Sequence, residues 1–204
     1  MMLRRLRGRL RRSDRPRDAA PFGAMKLIVS VGMPGSGKDE LVGVARSIGL
    51  ATLKMGDLVR AEASRRGLNP SGGALSRLAA EEREKHGAAI WAQRALPKLT
   101  ETKMLVDGCR SEAEITCFRH QFGDLFVLGI YSSPETRYER LRRRGRSDDG
   151  SNLQEFFDRD QRELKFGIGS AFILADGMLV NEGDLVAFRS NARETLHRIL
   201  ARET

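Results

Sequence analysis

Gly32-Met33-Pro34-Gly35-Ser36-Gly37-Lys38 (GMPGSGK) decides the fold of this chain through what stands on either side of it. Before it, Leu27 to Val31 (LIVSV) is a short apolar run with β-branched residues, the pattern of a strand covered on both faces. After it, Asp39 to Ile48 sets Leu41, Val44, Ala45 and Ile48 on one helical face. Strand, glycine-rich loop and helix in that order give G-x-x-x-x-G-K the context that confirms it. Gly35 and Gly37 permit backbone angles that a Cβ would penalise, so successive N–H groups can converge on phosphate oxygens. The helix start adds partial positive charge, and Lys38 adds a flexible point charge for the β- and γ-phosphates. Gly32, Met33, Pro34, Gly35, Ser36, Gly37, Lys38 and Asp39 are therefore the expected seat of ATP or GTP.

One position departs from the motif. Asp39 stands where a serine or threonine hydroxyl normally meets Mg²⁺. Its carboxylate either contacts the metal, directly or through water, or caps the helix start, and both readings stay open. Ser36 lies three residues before that position, too early to replace the hydroxyl without a changed loop path.

Outward from the loop, strands and helices alternate. Ala51 to Lys54 is a second strand, followed by Gly56-Asp57 and a helix from Leu58 to Arg66, and Asn69 to Gly73 is a turn. A long helical stretch runs from Ala74 to about Leu96, with a break expected at Gly87 and an end at Pro97. Lys103 to Val106, Leu125 to Ile130 and Met178 to Val180 complete five strands. Helices are expected over Glu112–Gln121, from Pro134 to Arg144, over Leu153–Phe166 and from Leu185 to Ile199. Gly145 to Asn152 is a polar loop. Such alternation predicts an α/β three-layer fold with a mostly parallel five-stranded sheet.

With 204 residues, 40% hydrophobic and 31% charged, the chain is sized for one domain. No apolar run approaches the roughly 20 residues that span a bilayer, so no membrane role is expected. Cys109 and Cys117 are too few for a disulfide framework and match no zinc spacing, which points to a reducing, cytoplasmic setting. His86, His120 and His197 lie on helices away from the motifs and show no metal or triad spacing.

The pI near 10.2 is mostly local. Eight arginines before Lys26 stand against Asp14 and Asp18, so this end carries +6 of the formal +9. Residues 1–24 have no apolar period and read as a disordered basic extension. Three explanations compete: loose charge attachment to RNA or acidic lipid, a transit-like peptide, or an artefact of start-codon choice with translation beginning at Met25. The last is favoured, because Met25 directly precedes the first strand, and RNA contact is not.

The ordered set GMPGSGK, KMGDLVR, VDGCRS, RLRRRGRSDD and ADGMLVNEGDL resembles the nucleoside monophosphate kinase superfamily. It is most similar to an archaeal group of small P-loop proteins related to adenylate kinase and dephospho-CoA kinase, over about residues 26–200. The resemblance implies a kinase-like domain over 25–204, with an acceptor-binding insertion at about 56–98 and a short helical lid at about 137–162. It implies that Gly56 and Asp57 shape the acceptor pocket and that Arg60 reaches the acceptor's phosphate. Asp57 is also a plausible helix N-cap by its chemistry. Asp107 resembles the strand-end carboxylate that orders Mg²⁺, and Arg110 is a match shifted by one position. Arg137, Arg140, Arg142, Arg143, Arg144 and Arg146 resemble a phosphotransferase lid, with Arg140 and Arg144 on the donor side. Arg159 and Arg162 resemble arginines of the helix after the lid, Arg162 being preferred for transfer. Asn181 and Gly183 match an Asn-x-Gly segment beside the donor's adenine, although Asn181 reads equally as a cap for the final helix.

Together these imply direct in-line transfer from Mg·ATP, with Lys38, Asp107, Arg140, Arg144 and Arg162 catalytic and Asp39 and Asp107 at the metal. The acceptor expected is a small anionic metabolite, a nucleoside monophosphate before dephospho-CoA. An ATPase switch acting on RNA, ribosome or protein partners is the rival class. Trp91 is expected in the core rather than at the acceptor cleft, and a role for Glu81, Glu82 and Glu84 beyond solvating a helix stays open.

Overall fold

The computed structural model describes residues 25–69, 72–145 and 152–202. The basic extension therefore lies outside the described residues, as do Arg146, most of the 145–152 loop and the centre of the 69–73 turn. The elements run β1 (Lys26–Val31), α1 (Lys38–Ser47), β2 (Ala51–Lys54), α2 (Met55–Arg65), α3 (Gly72–His86) and α4 (Ile90–Ala95). After a 3₁₀ turn at Leu96–Lys98 come β3 (Lys103–Cys109), α5 (Glu112–Gln121), β4 (Asp124–Tyr131) and α6 (Pro134–Arg144). The chain closes with α7 (Leu153–Lys165), α8 (Ile168–Ile173), β5 (Gly177–Val180) and α9 (Leu185–Leu200).

The sheet order is β2-β3-β1-β4-β5, and every pairing is parallel. Strand residues alternate between two cores, as their period of two requires. Leu27, Val29 and Val31 pack with Trp91, Ala95, Ile115 and Phe118 on one face, while Ile28 packs with Leu41, Phe188 and Leu196 on the other. Helices α1 and α9 thus cover one face, and α4, α5 and α8 the other. The chain leaves β1 toward β2 and leaves β3 toward β4, so the carboxyl ends of these adjacent central strands form the switch-point crevice where ligands gather in open α/β sheets.

Four expectations change. Helix α2 begins at Met55 with Lys54 at the N-cap position, so Asp57 lies in its first turn and does not cap it. Asp184 caps α9 by accepting from the amides of Val186 and Ala187, so Asn181 does not. Strand β3 continues past Val106 to Cys109 through a register shift, with Gly108 at φ +93°. Helix α8 was not expected, because six residues, IGSAFI, are too few to show a helical period. The break at Gly87 is present at φ +94°, between α3 and α4.

Candidate functional site

The loop after β1 folds around its glycines. Gly35 and Gly37 adopt φ +83° and +105°, the left-handed region. A Cβ on Gly37 would stand 2.1 Å from Asn181 Nδ2, and one on Gly35 would stand 2.9 Å from Arg137 O. The close approaches identify what supports the loop from outside. Asn181, 3% exposed, donates from Nδ2 to Ser36 O at 2.9 Å. Ser132 Oγ donates to Asn181 O at 2.6 Å, and Arg140 donates to Ser132 Oγ and Asn181 Oδ1. Ser36 itself is fully buried, and its Oγ has no hydrogen-bond partner among the described residues.

Lys38 Nζ donates to the carbonyls of Gly32 (2.6 Å) and Met33 (3.0 Å), folded back along its own loop. Burial lowers its pKa to about 8, against the opposing pull of Asp107 and Glu163, while Arg110 and Arg159 push in the same direction as burial. Asp107, 8% exposed at the end of β3, accepts from Ser30 Oγ at 2.6 Å across the β1–β3 pair. Asp39 neither caps α1, whose N-cap is Gly37 without a side-chain bond, nor stands alone. Its Oδ1 meets Lys54 Nζ at 2.5 Å and its Oδ2 meets Arg144 Nη1 at 3.4 Å.

The base of the lid is tied to the loop. Arg137, expected in a solvated or phosphate-facing run, is 3% exposed and pairs with Asp160 of α7 through both nitrogens, at 2.8 and 2.5 Å. It also donates to Pro34 O at 3.2 Å and lies over the Phe156 ring. Ser133 caps α6, and the Glu182 carboxylate accepts from Thr136 Oγ1 (2.6 Å) and from the Ser133 amide, joining α6 to the turn after β5.

A cleft of about 1010 Å³ opens over these groups. Pro34, Gly35, Gly37, Lys38, Asp39, Asn181 and Gly183 line it on the loop side, and Arg140 and Arg144 on the lid side. Gly56, Asp57, Arg60, Asp107 and Arg110 line the remainder, so the structure brings both halves of the expected site into one space. Gly32, Met33 and Ser36 form the inner side of the loop and do not line it. A smaller recess of about 260 Å³ shares Gly56, Arg60, Arg110 and Arg159 with the cleft and adds Arg162 and Glu163. Arg162 thus lines the recess, while Arg159 lines both spaces.

Carboxylates already meet two of the cleft arginines: Arg60 pairs with Asp57 at 2.7 Å and Arg110 with the buried Glu163 at 3.2 Å. Behind them, Glu82 is 1% exposed and pairs with Arg66 at 2.6 Å and with Arg94, so one of the three helix glutamates builds the insertion. Trp91 is core, its Nε1 donating to Ala79 O at 3.3 Å. Lys54, Glu163, Ser30, Asp160 and Glu182 were not singled out from sequence. Each takes its meaning from a partner at least 15 residues away, so no local pattern marks it.

Asp39 and Asp107 supply hard carboxylate oxygens, the donor type Mg²⁺ takes when it arrives with nucleotide phosphates. Among the described residues no group of three His, Cys, Asp or Glu side chains could hold an ion alone, so a metal here would need the phosphates as co-ligands. No described helix is long and apolar enough to cross a membrane.

Comparison with known proteins agrees with this fold. The AAA domain family model matches residues 31–156. A UPF0200 protein from Hyperthermus butylicus is 45% identical over 181 residues, 87% of this chain and 97% of the relative. One from Methanosarcina mazei is 38% identical, over 86% of this chain and 96% of its own length. Among solved structures, shikimate kinase from Bacteroides thetaiotaomicron aligns with TM-score 0.60 at 15% identity, covering 85% of this chain and 99% of that one. A gluconokinase from Sinorhizobium meliloti aligns with TM-score 0.57 at 16% identity, covering 86% and 94%. The fold is that of the P-loop kinases, and the chain belongs to the UPF0200 family, as the joint match of its phosphate loop and its full domain requires.

Proposed function

We propose that this protein transfers the terminal phosphoryl group of ATP, or of GTP, to a small anionic acceptor, with a nucleoside monophosphate the first acceptor class. The observation that carries this reading is the single cleft joining the phosphate loop to Arg60 and Arg110, with Asp107 lining it as well. A site for nucleotide hydrolysis alone would not need a second, arginine-bearing recess opening from the first.

In this reading Lys38 exchanges the Gly32 and Met33 carbonyls for the β- and γ-phosphates, and the loop amides bind the same oxygens. Bound Mg²⁺ would supply charge neutralisation at the phosphates, with Asp107 the side chain that would hold it, since both oxygens of Asp39 already meet the cations Lys54 and Arg144. Arg140 and Arg144 bring positive charge over the migrating phosphoryl, and Arg159 approaches from α7, with Arg162 one turn on at the smaller recess. Asn181 acts through the loop backbone, and Gly183 lies beside it where the donor base would sit. Arg60 and Arg110 are shared with resident carboxylates, so a phosphate acceptor would enter by competing with Asp57 and Glu163. A monophosphate oxygen is already nucleophilic and needs no base.

Asp107 also supports a second reading. It lies beside Lys38 at the cleft floor, where it could accept the proton of an attacking hydroxyl, as a dephospho-CoA-type acceptor would require. The test is Mg·ATP consumption with AMP, CMP, UMP, GMP, dephospho-CoA or no acceptor, identifying the phosphorylated product. A large acceptor-dependent rate establishes the kinase and names the class. Equal slow hydrolysis in every tube, with tight ATP binding, would replace it with a switch ATPase.

A further inference from the structure

Lys54 ends β2 and lies in register with Asp107 of β3, so it leaves the sheet beside the strand-end carboxylate. Its ammonium meets Asp39 Oδ1 at 2.5 Å, and its side chain, 27% exposed, lines the larger cleft. Asp39 directly follows Lys38, and its other oxygen meets Arg144 at the end of α6. One carboxylate at the motif's hydroxyl position therefore gathers two cations from different elements, and the three groups sum to one positive charge. Lys54 emerges between Asp107 and the start of α1, the helix N-terminus where the phosphates of a nucleotide seated on the loop are expected.

We propose that Lys54 is a second phosphate-binding lysine of this site, held by Asp39 so that its ammonium meets the terminal phosphate of a bound nucleoside triphosphate. The inference rests on the nucleotide reading of the cleft and not on the identity of the acceptor. A lysine has a long, freely rotating stem, and ordering it at the moment of binding costs entropy. The ion pair orders it beforehand, which is the use of a carboxylate in place of a hydroxyl here. Asp39 is then a positioning residue and Lys54 the group that touches substrate. Because the contact is to the terminal phosphate, it separates ATP from ADP.

The test uses the full chain and measures ATP and ADP dissociation constants by calorimetry, with and without Mg²⁺, in the wild type, Lys54→Met, Lys54→Arg and Asp39→Asn. The wild type should prefer ATP. Lys54→Met should weaken ATP about tenfold or more while changing ADP little, and Lys54→Arg should restore most of the preference, the range expected for one charge-assisted hydrogen bond. Lys54→Gln carries the same comparison if Lys54→Met loses its fold by melting temperature. A wild type that binds ATP and ADP alike, or a folded Lys54→Met or Lys54→Gln variant with an unchanged ratio, overturns the proposal. So does an Asp39→Asn variant that loses only the Mg²⁺-dependent gain in affinity and keeps the full metal-free ATP preference, since Asp39 would then serve the metal and not Lys54. No arm contains an acceptor, so failure here and failure of acceptor-dependent transfer remain distinguishable.

Discussion

The phosphate-loop side and the Arg60–Arg110 side of the cleft, which we propose as its donor and acceptor sides, are built in different ways. On the donor side the contacts that hold the loop itself run to backbone, Asn181 to Ser36 O, Arg137 to Pro34 O and Lys38 to Gly32 O and Met33 O, and charged pairs gather at its edge, where Asp39 meets Lys54 and Arg144 and Arg137 meets Asp160. On the acceptor side they run between charged side chains, Arg60 to Asp57, Arg110 to Glu163, and Arg66 and Arg94 to Glu82. A backbone cradle tolerates little change in shape, whereas an ion-pair network can exchange partners when a charged ligand arrives. In the proposed function the donor side is thus preorganised for one ligand feature, the polyphosphate, and the acceptor side would exchange ion-pair partners when its ligand binds.

The sharpest way to break this contrast is Gly37→Ala. The methyl group would meet Asn181 Nδ2 at 2.1 Å, at a φ of +105° that alanine rarely adopts. Nucleotide affinity should fall about a hundredfold or more by calorimetry, and near-normal affinity would show that the loop is not a rigid cradle. The matching change behind the acceptor side is Glu82→Gln, which leaves Arg66 and Arg94 without their shared carboxylate. Stability should fall by about 3 kcal/mol in denaturant titration, with ATP affinity unchanged, so a loss of ATP binding would merge the two sides.

Arg60→Ala should raise the acceptor's KM about tenfold with little effect on ATP, as expected of one lost charged contact. A pure kcat loss would assign Arg60 to the transferring phosphoryl instead. The smallest effect is on pH. The free protein's Lys38 loses its proton near pH 8, and bound phosphates keep it charged, so binding takes up a proton above that pH. Affinity should decline by at most about tenfold per pH unit from pH 8 upward, read as proton uptake in two buffers of different ionisation enthalpy. Proton release would reverse the assignment of Lys38.

The two sides also differed in how far they could be read from sequence. GMPGSGK announced itself because its physics is local: glycine conformations and a lysine within seven consecutive residues. The five strands and most helices were legible for the same reason, the strands as short apolar or β-branched runs and the helices through a period of 3.6. The alternative cap readings of Asp57 and Asn181 fail because a cap is set by where the helix begins, and α2 starts at Met55 while Asp184 serves α9. Arg137 read as one of six similar arginines, and only the position of Asp160 on α7 separates it from them.

The sequence by itself determined the phosphate loop, the alternating α/β order and the concentration of arginines after Pro134, since each is a pattern among neighbours. Only the tertiary structure decided which of those charges are partners and which face the cleft. Asp39 with Lys54, Arg110 with Glu163 and Ser30 with Asp107 are separated by 15 to 77 positions in the chain. Electrostatic pairing depends on distance in space, and the parallel sheet, not sequence spacing, brings those strand ends and helix starts together.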